Sequence, residues 1–161
     1  MVSRTTFVAL VILMIGCVGQ PAQTASNSPS SISTEPSVSA APTLAFAVES
    51  ADEAPAGAIE ILLTFGPKFE PEEVTASAGT IVFFLQNDQG DGPPAVHNFL
   101  LGTSIEEPPL ASSPILAPGE AILFTVDGVE PGTYLYWCTV PSPDGQSHAY
   151  YGMVGTLTVT P

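Results

Sequence analysis

From about Leu44 to Thr160 the chain alternates apolar and other residues with period two, and Gly/Pro turns cut it into pieces too short for stable helices. Ile59, Ile61, Leu63 and Phe65 alternate with Glu60, Leu62 and Thr64. Successive side chains of a strand point to opposite faces, so such a segment buries one face and wets the other. Val74-Thr75-Ala76 passes through Ala78-Gly79 into the apolar run TIVFFLQN, and HNFLLG is a short strand ending on glycine. LAPGEAILFTV is a Pro-Gly turn followed by a strand, GVEPG turns into TYLYWC, and MVGTLTVTP closes the chain. No stretch carries a capped helical period. Seven or eight short strands with these turns predict an all-β fold, a two-sheet antiparallel Greek-key β-sandwich. Within TYLYWC, alternation puts Tyr134, Tyr136 and Cys138 on one face, with Thr133, Leu135 and Trp137 on the other. Trp137, Phe83, Phe84, Phe99 and Phe124 are expected to be packing residues.

The N-terminal quarter is written differently. MVSRTT holds the only arginine, and Phe7 to Ile15 is an apolar run too short to span a bilayer, followed by Gly16-Cys17. The pattern of residues 1–17 is that of an export signal. M-I-G-C resembles the lipobox of bacterial and archaeal lipoproteins, which implies lipidation of Cys17 as the first mature residue. The alternative is an ordinary signal peptide cut further on, with Cys17 discarded. Residues 18–43 are Ser, Thr, Ala and Pro with a single charge and no hydrophobic period, so they read as a disordered tether. A coil of that length spans about 30 Å. One folded domain, 44–161, follows. The expected location is outside the cytoplasm, in the periplasm or at an extracytoplasmic membrane face, held to the membrane through Cys17.

Charge narrows the partners. Two Lys/Arg stand against sixteen Asp/Glu, a formal charge of -14, and loss of Arg4 with the leader leaves Lys68 as the one basic side chain. Nothing in such a chain neutralises a phosphate backbone, which excludes nucleic acid. The acidity suits solubility in a salty or acidic medium, and equally steering toward a basic partner. If Cys17 is lipidated, Cys138 has no partner for a disulfide inside one chain, although export would permit one. A free thiol in an oxidising compartment needs a reason.

Beyond the leader the chain holds one cysteine, Cys138, one methionine, Met153, and two histidines, His97 and His148. Three of these four form Cys-x9-His-x4-Met in one strand-loop-strand segment, and the fourth opens another strand in VHNFLLG. A thiolate, two imidazoles and a weak thioether suit a mononuclear copper site. Thiolate favours Cu(I) and bonds covalently to Cu(II), imidazole serves both states, and a weak thioether avoids square-planar geometry. Zinc fits less well, because structural zinc sites rarely use methionine. The structural alternative is a buried free cysteine, a core methionine and two surface histidines.

The stretch KFEPEEVTASAGTIVFFLQN, then HNF, APGEAILFTV, GTYLYWCTVP and HAYYGMVGTLTV, resembles the plastocyanin/azurin family of cupredoxins. The resemblance implies the cupredoxin fold and one type 1 copper, held by one ring nitrogen each of His97 and His148, the Cys138 thiolate and an axial Met153. It implies that Asn98 and Thr139, each directly after a ligand, support the site, with Asn98 tying the ligand loops together; an ordinary turn asparagine is the alternative. It also makes His148 the electron port, ringed by Pro93, Pro94, Ala95, Pro141, Pro143, Ala149, Tyr150 and Tyr151 as an apolar docking patch. The Cys-to-His spacing is longer than in the small carriers and is similar to the type 1 copper domain of nitrite reductases. There, however, a histidine precedes the cysteine and serves a second copper; here Trp137 stands in its place and no histidine is spare. The long loop leaves a blue or a greener site open. The expected function is a non-enzymatic, monomeric carrier shuttling single electrons between redox proteins, a cytochrome or a membrane oxidoreductase. A copper delivery protein on the same fold is the competing reading, and a metal-free adhesion or scaffold domain the third.

Overall fold

The structure, a computed structural model, describes residues 43–161. The export signal, the lipidation site Cys17 and the tether through residue 42 lie outside the described residues. Among the described residues ten strands are numbered in order: β1 (Phe46–Ser50), β2 (Ile59–Thr64), β3 (Lys68–Glu70), β4 (Glu73–Ser77), β5 (Gly79–Asn87), β6 (Leu100–Gly102), β7 (Ala111–Ser112), β8 (Ala121–Val129), β9 (Gly132–Trp137) and β10 (Val154–Thr160). One sheet runs β1-β8-β5-β2-β3 and the other β4-β10-β9-β6-β7. The two-sheet sandwich stands as the period-two pattern requires, with more strands than the seven or eight expected. β3 and β7 have three and two residues, too few to show a period. Every residue of β1 is exposed. Two pairings are parallel rather than antiparallel, β2 with β5 and β4 with β10. Between β2 and β5 the chain crosses to the other sheet at β4, so it returns running the same way.

The core follows from alternation. Ile81, Phe83 and Leu85 of β5 line the inner face of the first sheet beside Ile61 and Leu63 of β2 and Ile122, Phe124 and Val126 of β8, and form one cluster with Tyr134, Tyr136, Leu157 and Val159 of the second sheet. Phe99 sits at its centre, with ring centroids 5.0 Å from Phe83, 5.2 Å from Tyr136, and 5.9 Å from both Phe69 and Phe124. Each such pair adds about 0.5–1.5 kcal/mol beyond area burial, so the chain two residues after His97 is firmly anchored. Trp137 is buried on the opposite face, where its ring covers Gly102; a Cβ there would lie 2.9 Å from the indole. Phe65 departs from expectation. It lies beyond the end of β2, half-exposed, with its ring filling the space a side chain at Gly92 would need.

Candidate metal centre

His97, Cys138 and His148 reach one point from three parts of the chain. His97 precedes β6 and pairs its backbone with Leu116, N–H to carbonyl at 3.2 Å and carbonyl to N–H at 2.7 Å. Cys138 follows β9 directly, continuing the inward face of Tyr134 and Tyr136. His148 begins a 3-10 turn, His148–Tyr151, whose first free N–H groups are partly met by Ser147: its hydroxyl oxygen accepts from Tyr150 N–H at 3.2 Å. Gly152 ends the turn at φ 93, a left-handed conformation that glycine adopts without strain. Met153 follows, fully buried in the same apolar cluster as Cys138.

The long Cys-to-His spacing has a local explanation. Residues between Pro141 and Ser147 form their own tight turn, with Ser142 N–H on Gln146 carbonyl at 2.7 Å and Gly145 N–H on Ser142 carbonyl at 2.8 Å. The extra residues are thus looped outward. Inside that turn the ligand backbones lock together: Ala149 N–H donates to Cys138 carbonyl at 2.9 Å, Met153 N–H to His148 carbonyl at 3.0 Å, and Cys138 N–H to Met153 carbonyl at 3.2 Å.

The Nδ1 atoms of His97 and His148 are 3.0 Å apart, and Cys138 Sγ is 3.9 Å from the first and 3.5 Å from the second. A circle through these three atoms has a radius of about 2.0 Å, the bond length of a first-row divalent ion to imidazole and a little under that to thiolate (about 2.3 Å). The three donors therefore fit one small ion without rearrangement.

Electrostatics prepares the same outcome. Burial, then repulsion from His148, pushes the His97 imidazole down to about 4, and burial lowers His148 as well. Both rings are neutral at pH 7 and offer lone pairs. Burial raises the Cys138 thiol, opposed by backbone N–H groups of Asn98, at 3.5 Å from Sγ, and Val140. A bound cation would displace the thiol proton, and those two N–H groups would remain to stabilise the thiolate.

Asn98 and Thr139 are joined twice. Asn98 Nδ2 donates to Thr139 Oγ1 at 2.9 Å, and Thr139 N–H donates to Asn98 Oδ1 at 2.9 Å. The two ligand strands are thereby stitched together. Of the expected docking patch, Pro93, Pro94, Pro141, Pro143, Tyr150 and Tyr151 are exposed and Ala95 and Ala149 half-buried. Tyr150 is 70 % exposed, while the Tyr151 hydroxyl is held by the Asp144 carboxylate. His148 itself shows only a narrow edge, 7 % against 1 % for His97. Asn87 and Gln89 were not anticipated. Asn87 is fully buried, and its Nδ2 donates to the carbonyls of Ala95 and Leu116, both at 2.9 Å. The signal was available, because the inward alternation Ile81, Phe83, Leu85 continues onto Asn87.

Comparison with known proteins agrees with this geometry. Residues 65–160 match the family model for copper binding proteins of the plastocyanin/azurin family. A plastocyanin from Prochlorothrix hollandica is 33% identical over 113 residues, covering 66% of this chain and 77% of the relative. Among solved structures, reduced auracyanin from Roseiflexus castenholzii superposes with a TM-score of 0.53 at 25% identity, covering 67% of this chain and 100% of that one. Auracyanin A from Chloroflexus aurantiacus, described as a "blue" copper protein, gives 0.50 at 28% identity, covering 64% and 98%. The donor triangle and these matches together place the chain in the plastocyanin/azurin family of cupredoxins, copper-binding electron-transfer proteins whose cofactor is a single type 1 copper.

Proposed function

We propose that this protein is an exported, membrane-tethered electron carrier, not an enzyme, whose copper is held by His97 Nδ1, His148 Nδ1 and Cys138 Sγ, with Met153 as the weak axial ligand. The observation that carries this reading is the buried triangle of 3.0, 3.5 and 3.9 Å, built from donors that suit both oxidation states. Bound copper supplies a one-electron couple. The chain contributes rigidity: each ligand is fixed by backbone hydrogen bonds, Cys138 and Met153 beside strand ends, His97 in its pair with Leu116 and His148 in its 3-10 turn, so the donors need not move when the charge changes. Asn98 and Val140 direct N–H groups at the sulfur. His148, 7 % exposed against 1 % for His97, is the ligand through which electrons would pass to a partner. An apolar rim there favours brief docking of a redox protein, such as a cytochrome or a membrane oxidoreductase, and the acidic remainder favours a basic one.

The export signal and the M-I-G-C sequence support lipidation at Cys17, with residues 18–43 as a spacer between the periplasmic or other extracytoplasmic membrane face and a monomeric domain. Among the described residues no helix is long and apolar enough to cross a membrane. Titration of the metal-free protein with Cu(II) tests the ligand assignment. One equivalent gives an intense thiolate-to-copper band in wild type, and Cys138→Ser abolishes it. A pale wild-type complex with only weak ligand-field absorption would overturn the assignment.

A further inference from the structure

A metal-bound histidine normally donates its second ring nitrogen to a carboxylate, carbonyl or water, and that bond fixes the ring. In His97 no protein group fills that role: its Nε2 is buried with no protein hydrogen-bond partner. What the protein itself supplies to aim the ring therefore comes through its backbone. That backbone hangs on Leu116, by the paired bonds of 3.2 and 2.7 Å. Leu116 carbonyl also accepts from Asn87 Nδ2 at 2.9 Å, and the other hydrogen of the same amide holds the carbonyl of Ala95, two residues before His97, at 2.9 Å. Two carbonyls fix the orientation of the Asn87 amide, because the flipped amide would face oxygen with oxygen. Asn87 Oδ1 in turn accepts from Gln89 Nε2, which also donates to Leu63 carbonyl of β2 at 3.2 Å. The main chain of Asn87 is held as well, its N–H on Glu120 carbonyl at 2.9 Å and its carbonyl on Gly119 N–H at 2.8 Å.

We infer that Asn87 is a positioning residue of the metal centre: its amide clamps the carbonyls of Ala95 and Leu116, between which His97 is suspended, and so orients a ring whose Nε2 no protein group holds. The inference rests on His97 being a copper ligand. Asn87 touches no metal-binding atom and lies outside the stitch made by Asn98 and Thr139. A fully buried amide is costly unless all its groups are met, so the clamp is either whole or strongly destabilising.

The test compares full-length wild type with Asn87→Leu, Gln89→Leu and, as a control for general loss of stability, Val159→Ala near the end of β10, the strand that follows Met153. In the metal-free proteins, amide hydrogen exchange at His97 and Leu116 is expected to accelerate about tenfold more in Asn87→Leu than global unfolding explains, since each lost bond is worth about 1 kcal/mol. Val159→Ala leaves these amides following global stability. In the loaded proteins, Asn87→Leu is expected to change the ratio of the two thiolate-to-copper bands and to speed copper loss to a chelator by about 10–100-fold. Unchanged bands, unchanged release and exchange equal to the control would overturn the inference. If Asn87→Leu does not fold, Gln89→Leu decides: release about three- to fivefold faster supports the clamp, and wild-type release refutes it. A wild type without a thiolate band would sink the ligand assignment instead, while exchange at His97 and Leu116 would still decide whether the clamp exists.

Discussion

Removing the Asn98–Thr139 stitch tests how the two ligand strands are held in register. Asn98→Ala deletes both bonds of 2.9 Å, whereas Thr139→Val deletes only the one made by the hydroxyl, because the other uses the Thr139 backbone N–H. A net hydrogen bond is worth about 0.5–1.5 kcal/mol, and these two lie at the surface where water compensates in part. Asn98→Ala should therefore cost about 1–2 kcal/mol, and Thr139→Val about half of that. The double variant should cost no more than Asn98→Ala, because its second substitution removes a bond already gone. The cycle then yields a coupling energy of about 0.5–1 kcal/mol. Urea unfolding of the four metal-free proteins at pH 7 measures it, with equal m-values as the check on two-state behaviour. Strictly additive losses would refute the stitch and leave Asn98 as an ordinary turn residue.

Other perturbations have equally definite outcomes. Gly155→Ala puts a methyl well inside contact distance of the Tyr136 ring and should destabilise by about 1–3 kcal/mol, whereas Gly132→Ala, with 3.6 Å to the nearest ring atom, should be mild; thermal melts compare them. His97 is depressed in the folded metal-free chain from 6.5 to about 4, so its contribution to stability is present above pH 6.5 and lost as pH falls toward 4. The loss is up to about 3 kcal/mol, read as the difference in urea midpoints between wild type and His97→Gln; parallel pH curves for the two would contradict it. Ala149→Glu sets a carboxylate beside His148 and should slow electron self-exchange by NMR line broadening if His148 is the port, whereas an unchanged rate would move the port elsewhere. Cys17→Ser should shift the protein from the membrane to the soluble fraction, and continued membrane retention would argue against a lipid anchor at Cys17.

What the sequence disclosed was what its local pattern carries. The period of two in IVFFLQN and TYLYWC required sheets with one buried face, and the sheets formed there. β3 and β7 are too short to show a period, and β1 buries no residue, so these three were silent. Pairing direction is a property of the returning chain, which is why the parallel β2–β5 and β4–β10 pairs could not be read. The alternation was extended one step too far at Phe65, where the strand had already ended. Among the site residues, His97, Cys138 and His148 were legible because so few soft donors exist in the chain. The pairing of Asn98 with Thr139 left no pattern in the residues themselves and was expected only from the family resemblance. Asn87 was hidden by its chemistry: an asparagine at a strand end reads as a turn former, and only its inward parity betrayed the buried amide.

Electron carriage and copper delivery part on one event, reduction. In a carrier the same four side chains must hold both oxidation states, so voltammetry of the copper-loaded protein should give a reversible one-electron wave. Its copper-to-protein ratio should stay at one through repeated cycles in the presence of a Cu(I) chelator. Transfer of copper to the chelator on the first reduction would contradict the electron-carrier function and identify a delivery protein.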